Sequence, residues 1–378
     1  MTNPQYELNT ARLRKSDNPF VRFFDLLPVR DMSLLPRDAQ YTPTVHARNL
    51  GRRLSLPHLF LKNETVLPTG TTKYRMAAVG LPYLYESGVR HFCTSSTGNS
   101  STAYAQLIEN IPGLRMTLLT ASDFHHRVNF SDRAQVEQYV LQGASFVEAF
   151  EVAGDHARDH GLTSERGFFN PGRREGLKLA FLEATEQVPR SIDCYVQAVS
   201  SAMGVYGTYG GARELLALDR IRRVPRLLCI QQVSCSPMAA AWAEGAERIS
   251  ERHIVHKPSG IAAAILRGNP QRVYPHVRRI VKETGGTIAS VSEDEIRRAR
   301  GWLREDEGID ACFSASAAIA GLIRLAGSGS VGADESILVN LTGSDRAPAP
   351  LSPATFLEKV DGVWKKTNER PAFVAQMV

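Results

Sequence analysis

Along most of the chain, short apolar runs alternate with stretches of helical period, and Gly, Pro, Ser and Asn punctuate the joins. From Thr42 onward the runs are short and β-like. Leu59-Phe60-Leu61 precedes a turn and a helix, and Met116 to Leu119 opens another such unit. Asp193 to Val199 reads as a buried strand entering the small-residue turn Ser200-Ser201-Ala202-Met203-Gly204, with a helix onward to Leu218. Arg226 to Val233 is a further strand, and Ser336 to Leu341 another, stopping at Thr342-Gly343. Strand and helix in regular alternation predict an α/β protein with parallel sheets and flanking helices, whose strand ends are where such folds bind ligands. A helix is expected over 131–142, opened by Ser131 or Asp132 and closed by Gly143. Another runs from Leu177 to Gln187, ended by Val188-Pro189. The longest apolar stretch, Ala311 to Gly327, carries Ser314, Ser316 and Arg324, so it reads as a buried helix and not a membrane span.

Composition narrows the function classes. The chain has 378 residues, 43% hydrophobic and 22% charged, as expected of a globular protein of two lobes. The net charge of +6 is spread in pairs such as Arg52-Arg53, Arg173-Arg174 and Arg278-Arg279, without the dense basic run of a nucleic-acid face. Small anionic substrates fit better, and neither nucleic acid nor membrane is expected as a partner. The five cysteines have no C-x-x-C spacing and no histidine pair at ligand spacing, so no metal is expected and a reduced, cytoplasmic compartment is. The start, Met1 to Asn18, is polar and lacks the apolar core of a signal peptide. His125-His126 as metal ligands, or Cys93 or Cys235 as nucleophiles, are weaker readings than packed core residues.

Four segments carry chemistry. In Pro68-Thr69-Gly70-Thr71-Thr72-Lys73-Tyr74-Arg75 a lysine follows a Pro/Gly/Thr turn at the opening of a helix, a fixed place that suits an amine required to lose its proton and form a Schiff base. A solvated helix-start lysine is the plain alternative. Ser95-Ser96-Thr97-Gly98-Asn99-Ser100-Ser101 leads from a β-like run into a helix, and Ser200 to Gly204 does the same. Both expose backbone N–H groups at a helix N-terminus, a ready anion site, although serine and asparagine also serve as ordinary caps. Neither is a Walker A loop nor a G-x-G-x-x-G fingerprint. Leu341-Thr342-Gly343-Ser344 delivers a hydroxyl from a strand end.

Taken in order from Asn18 to about Arg346, these motifs resemble the pyridoxal-phosphate (PLP) enzymes of fold type II, and within them the threonine synthase and cysteate synthase group. Pro68 to Lys73 resembles that group's P-T-G-S/T-F-K segment, Thr42-Pro43-Thr44-Val45 its T-P-L strand, and Ser95 to Asn99 its serine-rich asparagine loop. Gly268-Asn269-Pro270 is similar to the I-G-N-P segment, Glu307 to Gly321 to the E-G-I…A-S-A-A helix, and Leu341-Thr342-Gly343 to the L-T-G that touches the pyridine ring. Gln197-Ala198-Val199 and Phe168-Phe169-Asn170-Pro171 lean towards cysteate synthase. The chain departs from the pattern at Thr72, where an aromatic is usual, at Tyr74, where an acid is usual, and at Phe313, where a glutamate is common.

The resemblance implies a two-lobed, tryptophan synthase β-like fold: an N-terminal arm over 1–44, a large cofactor-binding domain from 45–66 and 179–378, and a small mobile domain over 67–178. It implies PLP as cofactor, Lys73 as the Schiff-base lysine and α-proton base, Asn99 at the cofactor 3-oxygen, and backbone groups of Ser200, Ser201, Ala202, Met203 and Gly204 at the phosphate. Thr342 would face the ring nitrogen, where a hydroxyl suits elimination and replacement better than transamination. Thr97 and Ser100, with Arg75, Arg174 and Arg267, are the substrate-binding candidates, arginine being apt for oxyanions. The implied reaction is β-replacement on O-phospho-L-serine with sulfite, as in cysteate synthase. The alternatives are threonine synthase-like chemistry on O-phospho-L-homoserine, or a catalytically lapsed binding protein on the same fold. A homodimer in amino-acid biosynthesis is expected on the same ground.

Overall fold

The computed structural model describes residues 11–130, 134–346 and 350–368. Twelve strands form two six-stranded sheets. In chain order they are β1 (Thr44–His46), β2 (Leu59–Asn63), β3 (His91–Ser95), β4 (Arg115–Ala121), β5 (Val136–Leu141), β6 (Thr163–Ser164), β7 (Cys194–Ala198), β8 (Arg226–Gln232), β9 (Thr287–Val291), β10 (Ile337–Leu341), β11 (Thr355–Val360) and β12 (Val363–Thr367).

The chain divides into two compact units. The first, residues up to Val79 with Pro171–Arg346, holds the sheet β1-β2-β10-β7-β8-β9, parallel except for the edge strand β1. Strands β2, β7 and β10 are buried on both faces, as in a covered parallel sheet, and the few polar residues they carry, Lys62, Asn63, Gln197 and Asn340, are buried with them. Leu59, Leu61, Val196, Ile230 and Val339 pack with Ile319 and Leu322 of the helix Phe313–Gly327, the buried helix expected from its apolar run. The second unit, Gly80–Asn170 with the residues after Arg346, holds β12-β11-β5-β4-β3-β6, parallel except for the β11–β12 hairpin. These units divide the chain differently from the lobes implied by the resemblance. Residues 67–79 and 171–178 lie in the first unit, and β11–β12 lies in the second because β11 pairs in parallel with β5.

One element overturns its expectation. The helix over 131–142 is absent: 131–133 lie outside the described residues, and Val136–Leu141 is β5, paired with Met116–Ala121 of β4. The cap-like Ser131 and Gly143 suggested a helix, but Val136, Tyr139 and Val140 favour an extended chain, and two neighbouring strands supply the partners that decide it. Buried Gln138 is satisfied there by the Ser352 hydroxyl, which donates to its Oε1 at 2.7 Å.

His125 and the cysteines Cys93, Cys194, Cys229 and Cys235 are buried, and Cys312 is half-buried. His125 Nε2 lies 2.9 Å from the Ser352 carbonyl, and the cysteines are free thiols. Among the described residues no helix is long and apolar enough to cross a membrane.

Candidate active site

In the first unit the C-terminal ends of β10 and β7, adjacent in the sheet, carry the Thr342 segment and the Ser200–Gly204 turn. The lysine segment is laced to the first of these. The Thr72 N–H donates to the Thr342 carbonyl at 2.9 Å, Thr71 bridges Gly343, and the Ser344 N–H donates to the Gly70 carbonyl at 2.9 Å. Lys73 is then the first residue of the helix Lys73–Glu86, and the Thr71 hydroxyl accepts from its N–H at 3.3 Å. The Cys312 N–H donates to the Gly343 carbonyl at 3.0 Å and caps the helix Phe313–Gly327, so three chain segments converge at this strand end.

Burial pushes the Lys73 ammonium down to about 8, and the positive charge of Arg173 pushes the same way. A neutral amine is thereby within reach near physiological pH, which is what a lysine nucleophile needs. Arg267 is also held below its ordinary value, by burial and by Arg173 and Arg272. Its Nε is enclosed with no hydrogen-bond partner, as is the Thr72 hydroxyl next to Lys73. A depressed amine, arginines in mutual range and an orphaned N–H are the features of this region that an anionic ligand would satisfy.

The Ser200–Gly204 turn leaves β7 and enters the helix Met203–Ala217, presenting that helix's unpaired N–H groups at the sheet edge. Ala202 is at φ 55°, ψ 25°, a left-handed conformation that an alanine adopts only when its surroundings enforce it. The second loop, Ser95–Ser101, lies in the other unit between β3 and the helix Asn99–Leu107. There the Ser96 hydroxyl accepts from the Gly98 and Ser101 N–H groups at 3.1 and 3.3 Å. Gly98 is at φ 123° with the Arg127 carbonyl 2.6 Å from where a Cβ would stand, so a side chain is excluded. Thr97, Asn99 and Ser100 are half-buried on this loop.

The structure therefore gathers Lys73, Thr342, Ser200–Gly204 and Arg267 within one unit, and Thr97, Asn99 and Ser100 on a loop of the other. Arg75 is corrected. It is buried, with Nε 2.6 Å from Glu64 and Nη2 2.9 Å from the Thr42 hydroxyl and 2.8 Å from Glu183, so its donors are committed to the protein itself. Arg174 lies with its guanidinium 5.3 Å from the Tyr206 ring centre. Its neighbour Arg173 is the one whose charge reaches Lys73. Successive residues of the helix Pro171–Leu177 point about 100° apart, so only one of the pair can face the lysine, and nothing in the dipeptide says which.

A mostly parallel sheet with a helix-opening turn at its carboxyl edge, and a buried lysine whose amine is held down to about 8, is the setting of an α/β enzyme. The family model for pyridoxal-phosphate dependent enzymes matches residues 36–343, and the chain belongs to that family. Among curated proteins it is 29% identical over 344 residues to the threonine synthase of Methanocaldococcus jannaschii, covering 89% of this chain and 82% of that one. It is 28% identical over 352 residues to the cysteate synthase of Methanoregula boonei, with the same coverages. Among solved structures, threonine deaminase isoform 2 from Solanum lycopersicum superposes with a TM-score of 0.66 at 16% identity, over 92% of this chain and 95% of that one. Maize serine racemase gives 0.65 at 18%, over 82% and 89%. The fold is that of the type II PLP enzymes, and PLP is the cofactor.

Proposed function

We propose that this enzyme eliminates phosphate from an O-phosphorylated amino acid and adds a nucleophile to the product, with Lys73 as the group that holds the cofactor and then moves the α-proton. The observation that carries this is the Lys73 amine, fixed by the Thr72–Thr342 and Thr71–Gly343 contacts and pushed down to about 8 beside Arg173.

Bound, PLP supplies the electron sink that makes the α-hydrogen of an attached amino acid acidic. The remaining work falls to the chain. Lys73 Nζ, neutral near pH 8, accepts that proton and can return it. N–H groups from Ser200 to Gly204 hold the cofactor phosphate at the start of the helix Met203–Ala217, where the helix dipole favours the dianion. The Thr342 hydroxyl would face the ring nitrogen without fixing a proton there, and Asn99 is the residue that the resemblance implies for the 3-oxygen. Arg173 and Arg267 hold the substrate's phosphate and stabilise it as it leaves, arginine forks being matched to oxyanions.

In its most specific form the substrate is O-phospho-L-serine and the nucleophile sulfite. Gln197-Ala198-Val199 and the Phe168–Arg174 segment support that choice, as does the similarity to the cysteate synthase. The similarity to the threonine synthase supports O-phospho-L-homoserine with water as the second reading. The test is phosphate release from each phosphorylated amino acid, with and without sulfite, in the wild type and in Lys73→Ala. Lys73-dependent release from phosphoserine, with a sulfonated product when sulfite is present, is the expected result. Release from phosphohomoserine alone moves the reading to the second substrate, and release from neither overturns both.

A further inference from the structure

Beneath the Ser200–Gly204 turn, the last-but-one residue of β7 is a glutamine whose carboxamide is only half employed. Gln197 is buried, 6% exposed, and its side chain rises against the turn. A Cβ added to Gly204 would fall 2.7 Å from Gln197 Nε2 and 2.9 Å from Oε1. The carboxamide thus occupies the space that a side chain at 204 would claim, and Gly204 is required here by that close approach.

The amide joins a hydrogen-bond chain with Tyr195 and Asn340. The Tyr195 hydroxyl donates to Gln197 Oε1 at 2.7 Å, and Asn340 Nδ2 donates to Oε1 at 3.3 Å and to the Tyr195 oxygen at 2.8 Å. Tyr195 itself is buried, with Phe181 edge-on at 6.0 Å. With Asn340 Nδ2 donating to the Tyr195 oxygen, the hydroxyl proton is directed at Gln197 Oε1; turning the Gln197 amide alone would set donor against donor, while Asn340 Oδ1 is enclosed without a partner. With the amide in this orientation Oε1 is the acceptor inside the protein, and both amide atoms lie against Gly204, Nε2 at 2.7 Å and Oε1 at 2.9 Å from where its Cβ would stand. No protein acceptor takes a hydrogen bond from Nε2 among the described residues.

A donor on a buried side chain, packed against the first turn of a helix and accepted by no protein group, suits an anion that the turn's N–H groups would share. Taking the turn as the cofactor's phosphate site, as proposed above, we infer that Gln197 Nε2 donates to a phosphate oxygen of bound PLP. The side chain supplements a turn in which Ser201, Ala202 and Met203 stand in place of backbone-exposing glycines. Gln197 is then a cofactor-positioning residue oriented by Tyr195 and Asn340.

The test compares pyridoxal 5'-phosphate with pyridoxal, which has the same aldehyde and ring but no phosphate. Each is titrated into cofactor-free protein by the visible absorbance that appears on reaction with Lys73, in the wild type, Gln197→Leu and Gln197→Glu. Loss of one hydrogen bond to a charged group should weaken PLP binding roughly ten- to a hundredfold. Pyridoxal binding should be little changed, so the ratio of the two affinities falls by that factor, and further for the carboxylate of Gln197→Glu. The ratio is taken within each variant, so a general loosening of the fold lowers both affinities and leaves it unaltered. A second readout is the phosphorus NMR shift of bound PLP, which should move in Gln197→Leu. An unchanged ratio and shift, with Lys73-dependent binding intact in the wild type, overturns the role of Gln197 alone. Absence of any Lys73-dependent absorbance in the wild type would instead overturn the proposed function.

Discussion

Arg75 and Glu183 share a two-pronged contact in the core of the first unit: Nη1 donates to Oε1 at 2.5 Å and Nη2 to Oε2 at 2.8 Å. Around this pair stand Glu64, which receives Arg75 Nε at 2.6 Å, and Lys62, whose ammonium donates to Glu183 at 2.7 Å. Two cations and two carboxylates, all essentially fully buried, balance one another. Burial favours a protonated Glu64, yet Arg75 and Lys62 hold its carboxyl below the usual range. Since Arg75 is two residues after Lys73 in the same helix, the cluster ties the start of that helix to Leu179–Gln187 and to β2.

Removing one member is accordingly costly. Glu183→Ala leaves Lys62 and Arg75 buried with too little negative charge, a situation that destabilises by about 3–5 kcal/mol. Urea unfolding of the cofactor-free protein should show a lower midpoint with an unchanged slope, the midpoint shift multiplied by that slope giving a loss of this size. A shift under about 1 kcal/mol would mean that water enters and solvates the pair.

Lys73 sets function against stability. The folded protein releases the Lys73 proton at about 8, whereas the unfolded chain keeps it up to the ordinary value of 10.5. Between those values the unfolded state binds more protons, so stability rises with pH. Below about 8 both states are protonated and the folded state bears the whole cost of the buried charge. Lys73→Met should therefore stabilise the cofactor-free protein by up to about 3 kcal/mol at pH 7, the gain shrinking towards zero as pH approaches 10.5. Urea midpoints across that pH range decide it; a difference independent of pH would place the amine in water.

Much of this was legible in the residue order. The strands of the first unit are mostly apolar runs followed by Ser or Thr, so β7, β8 and β10 and the turns after them follow from sequence alone. Illegible were features that depend on contacts between distant segments. Val136–Leu141 became a strand through pairing with β4 and β11, not through its own capping residues. Arg75 sits in the lysine motif yet faces Glu64 and Glu183, one of them 108 residues away in sequence, and an arginine's partner is invisible at that range. For Gln197, the donor-acceptor chain from Asn340 through Tyr195 exists only once β10 lies beside β7. A glutamine ending a strand just before a turn is the one hint the sequence carries, and it is a weak one.

Arg173, passed over in the sequence in favour of its neighbour Arg174, makes the last prediction. Its charge holds the Lys73 amine down, second to burial, so Arg173→Met should raise the pH at which Lys73 becomes reactive towards PLP. If Arg173 also holds the substrate phosphate, the same variant should raise KM for the phosphorylated amino acid roughly ten- to a hundredfold, the loss of a charged hydrogen bond. Its effect on binding of the unphosphorylated amino acid should be slight. The two effects separate by measurement: the pH dependence of cofactor absorbance reports on Lys73 without substrate, and the KM comparison reports on the phosphate. A variant that shifts the pH profile but leaves KM unchanged would confine Arg173 to tuning the lysine and leave Arg267 as the phosphate ligand. A shift in neither would remove Arg173 from the site.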